Sequence, residues 1–138
     1  MEREPIDFNC MPCLYWSEQA KITHLQRRIL LYSVMYYRMN VSVVSDYDYD
    51  AMCFQLARMQ KEHPDAAKKS MYWHAFYDFE GYTGYHLTYR LDDKELIYLT
   101  DLAQLVYSYW LENTEPEERE LILKGAMHAP KAKPKRYL

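Results

Sequence analysis

Residues 36–50 read YYRMNVSVVSDYDYD, and where helix stops within this stretch decides the fold. It holds four tyrosines and three aspartates around a short β-branched run. Upstream, Ser17 can cap a helix, and neither Pro nor Gly interrupts the chain from there to about Arg38. Leu25, Ile29, Tyr32 and Tyr36 recur at helical spacing and define one face. The run MNVSVVS breaks that period, and its branched side chains favour an extended connection. Ser45 or Asp46 then caps a second helix, which runs to about His63 before Pro64. Its inner face is Tyr49, Met52, Cys53, Leu56 and Met59. The stretch therefore joins two long helices, predicted over 17–38 and 46–63 and packed antiparallel.

Further along, MYWHAFYDFEGYTGYHLTYRL is aromatic throughout and carries two of the three glycines. Tyr85, Leu87, Tyr89 and Leu91 alternate, so a loop or a short hairpin near 71–91 is expected. Asp92 and Glu95 match a capping box and open a third long helix to about Glu112. Leu96, Leu99, Ala103, Val106 and Trp110 mark its buried stripe, and the aromatic run from Tyr98 to Trp110 reads as core. Thr114, with Pro116 just inside, is expected to start a fourth, acidic helix that fades near Gly125. The reading is a mainly α chain of about four helices, one domain over 1–128 and a disordered basic tail over 129–138.

Composition narrows the function classes. Apolar residues make up 49% and charged residues 27% of 138, which suits one globular core. Three glycines argue against a phosphate-cradling Gly-rich loop. The net charge of −3 makes nucleic acid an unlikely partner. No apolar run approaches the roughly 20 residues of a membrane helix, and the N-terminus lacks an apolar signal core. A cytoplasmic protein is expected. Cys10 and Cys13 have CxxC spacing, yet only Cys53 and scattered histidines could complete a zinc site of about four ligands. No strand precedes them as a redox motif would require. His74 and His86 near Asp78 and Glu80 match no metal spacing. No metal is expected.

The tyrosines and aspartates of the opening stretch suggest chemistry. If the connection folds back, Tyr36 and Tyr49 can face each other and form a slot for a flat ring. A positively charged ring gains more, because aromatic faces are electron-rich. Asp46 and Asp50 lie four apart on one side of the second helix. They can accept from an amide or ribose hydroxyls and add negative potential beside a cation. A flat, cationic, amide-bearing ring on ribose is the nicotinamide end of oxidised NAD or of nicotinamide mononucleotide (NMN). Arg27, Arg28 and Arg38 are candidates for a phosphate. The alternative is that Tyr36 and Tyr49 are ordinary amphipathic core residues and the aspartates only favour the helix start.

Residues of about 20–65 also resemble the N-terminal helical domain of bacterial NAD-dependent DNA ligases. The resemblance is carried by Tyr36-Tyr37, by Asp46, Tyr49 and Asp50 as an Asp-x-x-Tyr-Asp motif, and by Glu62-His63-Pro64 with slightly shortened spacing. It implies that Tyr36 and Tyr49 sandwich the nicotinamide while Asp46 and Asp50 hold its amide and ribose. Tyr37 stands where many ligases carry a phosphate-facing His. The Lys-x-Asp-Gly nucleophile motif is missing, so a non-catalytic binding module is expected, not a ligase. Small relatives of this kind point to a bacteriophage or mobile-element setting in a bacterial host. The competing expectation is an interaction or inhibitor module that grips a host defence or replication protein through exposed Tyr72, Trp73, Tyr77, Tyr82 and Tyr85.

Overall fold

The computed structural model describes residues 16–125 other than Thr83. Cys10, Cys13 and the basic tail over 129–138 lie outside the described residues. Helices dominate: α1 (Glu18–Arg38), α2 (Asp46–Glu62), α3 (Pro64–Lys68), α4 (Trp73–Phe76), α5 (Asp93–Asn113) and α6 (Pro116–Leu123), with a 3-10 turn at Leu87–Arg90. Four of them are long, as the periodicities predict.

The caps follow from local chemistry. The Ser17 hydroxyl accepts from the Ala20 N–H at 3.1 Å and opens α1. Of the two candidates for α2, Ser45 is the cap, accepting from Asp48 N–H at 3.0 Å, and Asp46 is the first helical residue. Asp92 and Glu95 form the expected reciprocal box at 2.7 and 3.0 Å. Thr114 is a correction. It closes α5, its hydroxyl donating to the Trp110 carbonyl at 2.6 Å, and Glu115 takes the cap position of α6.

Antiparallel packing of α1 and α2 shows in two side-chain bonds. Ser33 meets Tyr49 near the connection, and Gln26 meets Gln60 near the far end. Ile22, Leu25, Ile29, Leu30, Val34 and Met35 of α1 pack against Met52, Cys53 and Leu56 of α2. Leu99 and Ala103 of α5, with Phe76 and Leu87, complete the same cluster. Burial of such side chains contributes about 1.5–3 kcal/mol each before chain entropy is counted. Two outward residues depart from expectation. Tyr36 shares the α1 register of Leu25 yet stands 56% exposed, on the last turn of the helix beside exposed Tyr37 and Arg38. Tyr98 is exposed as well, and the α5 stripe narrows to Leu99, Ala103 and Trp110, with Leu96 and Val106 half-buried.

Of the loop and the hairpin expected over 71–91, the described residues form the loop and no hairpin. Two short helical turns joined by loop replace it. Buried polar groups seat this segment. The Gln26 amide donates to Gln60 at 3.0 Å and to the Ser70 hydroxyl at 2.8 Å, and its oxygen accepts the Tyr72 N–H at 3.1 Å. Gln60 in turn donates to the Phe76 carbonyl at 3.0 Å. Arg90 clamps the segment on itself, donating to both Asp78 carboxylate oxygens and to the Ala75 carbonyl. That guanidinium holds the Asp78 carboxyl below its usual range. No helix among the described residues is long and apolar enough to cross a membrane.

Candidate functional site

The end of α1, the connection and the first turns of α2 enclose an open pocket of about 150 Å³. It is lined by Tyr32, Tyr36, Tyr37, Ser42, Val44, Asp46, Tyr49, Asp50, Tyr82 and Gly84. All five residues expected to contact a ligand, Tyr36, Tyr37, Asp46, Tyr49 and Asp50, are among them. Typical small-molecule sites run from about 300 Å³ upward, so this one suits a single ring with its sugar edge better than a whole dinucleotide.

The floor is built first. Ser33 sits on the buried face of α1 and donates to its own helix, to the Ile29 carbonyl at 2.7 Å. Its one proton is thereby used, so the Tyr49 hydroxyl, 2.7 Å away, donates to Ser33. Burial, with the Cys53 thiol beside it, pushes the Tyr49 phenol well above its ordinary pKa. Burial likewise pushes the Cys53 thiol up to about 12, which leaves it protonated and unreactive at neutral pH. Gly84 lies directly on this pair. A Cβ there would come 2.0 Å from the Tyr49 hydroxyl and 2.9 Å from the Ser33 oxygen. Only glycine lets the loop come this close.

The rim carries the free groups. Asp46 and Asp50, one helical turn apart, are exposed at the start of α2. Tyr36 and Tyr37 meet edge-on with centroids 4.9 Å apart, and Tyr37 meets Tyr85 in the same way at 5.4 Å. Tyr49 is half-buried and hydrogen-bonded by its hydroxyl, so it is fixed in position by the fold. Such a rim offers aromatic surface and two carboxylates to a flat cation.

The arginines are spread out, and none lines the pocket. Arg27 is engaged away from it, donating to Met71 Sδ at 3.4 Å and lying over the Tyr72 ring at 5.8 Å. Arg28 donates to the hydroxyl of Tyr32, a pocket residue, and sits 5.3 Å over that ring. Arg38 lies 5.7 Å over Tyr89, at the far end of the ring chain through Tyr37 and Tyr85.

The residues expected to form a partner surface divide. Tyr72 is a correction, only 3% exposed, because its backbone is tied to Gln26 and its ring is drawn under Arg27. Trp73 is half-buried against the core. Tyr77 is exposed beneath Arg90, whose guanidinium lies 4.8 Å from its centroid. Tyr82 and Tyr85 are exposed, but they stand at the pocket and against Tyr37. The sequence reading missed Tyr32, Ser42, Val44 and Gly84 as lining residues. A glycine in an aromatic run was the one signal available for Gly84. Among the described residues no group of three or more His, Cys, Asp or Glu is placed to hold a metal.

Residues 16–70 match the family described as the DNA ligase-like, N-terminal NAD+-binding domain. The match spans less than half of the 138-residue chain. It takes in every pocket residue except Tyr82 and Gly84. No curated protein and no solved structure matches the chain.

Proposed function

We propose that the pocket between α1 and α2 binds the nicotinamide-ribose end of NAD or NMN and does no chemistry on it. The observation that carries this reading is the convergence of Tyr36, Tyr37, Asp46, Tyr49 and Asp50 on one pocket inside the segment that matches an NAD+-binding family. Tyr36 and Tyr49 supply the stacking faces, with Tyr37 beside Tyr36, and Asp46 and Asp50 accept from the carboxamide and ribose while favouring the pyridinium charge. Arg28, over the ring of the pocket residue Tyr32, and Arg38, over Tyr89, are the candidates for the phosphate, and Arg27 is committed elsewhere. The matched family describes the nucleotide-binding part of a ligase rather than its catalytic part, which accords with a binding role.

Calorimetric titration of the full chain with NMN and with NAD tests the reading. Saturable binding is expected, weakened at least tenfold by Tyr36→Ala and by Asp50→Ala with little change in melting temperature. No saturable heat at millimolar nucleotide sinks it.

A second reading has its own support. The exposed rings of Tyr36, Tyr37, Tyr85 and Tyr89 touch in series, and Phe54 touches Tyr82 nearby. Exposed aromatic surface of this kind suits a protein partner, such as a host defence or replication factor in a bacteriophage or mobile-element setting. Substitution of Tyr85 and Tyr89 would abolish such an interaction and spare nucleotide binding.

A further inference from the structure

The buried stripe of α5 is narrow, and apolar residues continue onto the outer side of the helix. Leu99, Ala103 and Trp110 are buried, while Tyr98 is 52% and Leu105 69% exposed. Leu102 and Tyr109 are half-buried. Tyr98, Leu102, Leu105 and Tyr109 follow one another at spacings of four, three and four, so they line one side of the helix. From Leu102 to Leu111 the helix carries no charged residue. Tyrosine with few charges is the composition of an interface centre, whereas the outer side of a solvated helix is ordinarily charged.

This stripe is complementary to itself. Tyr, Leu, Leu, Tyr at spacings of four, three and four reads the same in both directions. A second copy running antiparallel, about a twofold axis between Leu102 and Leu105, would set Tyr98 against the partner's Tyr109 and Leu102 against the partner's Leu105. The charges beside the stripe choose the same direction. Lys94 lies in the first turn of α5 and Glu112 in the last, each at the helix end whose dipole disfavours it. Both are exposed, and neither has an ion-pair partner among the described residues. An antiparallel copy brings each to the opposite charge and to the dipole end that favours it. A parallel copy would set Lys94 against Lys94 and Glu112 against Glu112.

We propose that α5 is a self-association face, on which two copies of this chain pair antiparallel through Tyr98, Leu102, Leu105 and Tyr109, with Lys94 of each copy against Glu112 of the other. The face lies beyond the matched residues 16–70 and is independent of the nucleotide-binding reading. One helix side per copy is at the small end of specific interfaces, so a dimer of micromolar affinity is expected.

Sedimentation equilibrium of the full chain, from micromolar to millimolar concentration, is the test. Wild type is expected to move from the mass of one chain toward that of two. Leu105→Glu is expected to stay a monomer throughout, with the helix content of wild type by circular dichroism. Lys94→Glu should weaken the dimer roughly fivefold at low salt, and Lys94→Glu combined with Glu112→Lys should return it to within twofold of wild type. If Leu105→Glu loses helix, the two charge reversals decide alone. Wild type that is monomeric at every concentration overturns the proposal and leaves the stripe to a different protein. A dimer that survives Leu105→Glu has its interface elsewhere and overturns it too. A dimer lost with Leu105→Glu but indifferent to both charge reversals overturns the antiparallel pairing.

Discussion

The floor tyrosines of the helical pair α1–α2 and the exposed tyrosines of the aromatic segment over 71–91 are used in opposite ways. In the pair, Tyr32 and Tyr49 give their hydroxyls to partners, Arg28 and Ser33, and their rings to the core side. In the segment, Tyr77, Tyr82, Tyr85 and Tyr89 stay exposed, and their neighbours are mostly other rings or an arginine. A tyrosine whose hydroxyl is satisfied inside is held in place by the fold. One whose ring is merely seated beside others remains available for a ligand or partner. The pocket sits where the two regions meet, with a floor from the first and a rim from both.

Breaking the seam between the regions should have the largest effect. Gln26 joins α1 to α2 and to residues 70 and 72 through three hydrogen bonds. Gln26→Leu keeps the volume and strands Gln60, Ser70 and the Tyr72 N–H. A loss of roughly 2–4 kcal/mol is expected, read as a lower urea midpoint. Amide exchange should speed up in the aromatic segment before it does in α1. Uniform exchange across both would mean that the seam does not separate them.

Gly84→Ala acts next, at the pocket itself. The added methyl meets the Tyr49 and Ser33 oxygens, and the loop must lift or that hydrogen bond must break. A cost of about 1–3 kcal/mol is expected, together with weakened NMN binding. Full stability with intact binding would show that the loop is free of the floor.

The smallest effect sharpens the comparison by pH. Burial, then Arg28 and Arg27, lowers the His24 pKa on α1 from 6.5 to about 4. Between those values the unfolded chain binds the extra proton and the folded chain does not, so stability falls as pH drops from 6.5 toward 4. The loss is on the order of 1 kcal/mol once solvent screening at a half-buried ring is allowed for. His24→Gln should flatten that slope in melting curves between pH 4 and 7. An unchanged slope would assign the sensitivity to other groups.

Much of this was legible locally. Ser17, Ser45 and the Asp92–Glu95 box act within one turn of chain, so the sequence carries their whole geometry. Asp46 and Asp50 share a helix side for the same reason. That the loop holds over the hairpin has a physical cause as well. Tyr85 and Tyr89 are four residues apart, which satisfies a strand's period of two and also one helical turn. Their rings, 5.9 Å apart, follow the turn, and Leu87 between them is buried. Thr114 was misplaced because a hydroxyl one residue before Glu115 suits the end of one helix as well as the start of the next.

The sequence by itself determined two capped helices, their connection, and a cluster of tyrosines and carboxylates at the junction, because short-range hydrogen bonds and helical periodicity need no distant partner. Tertiary structure decided which tyrosine is floor and which is rim. Ser33 meeting Tyr49, Gln26 reaching Ser70 and Gly84 closing on Tyr49 join residues 16 to 44 positions apart. Such contacts arise from how the helices and loop are brought together in the core, and no local spacing encodes them.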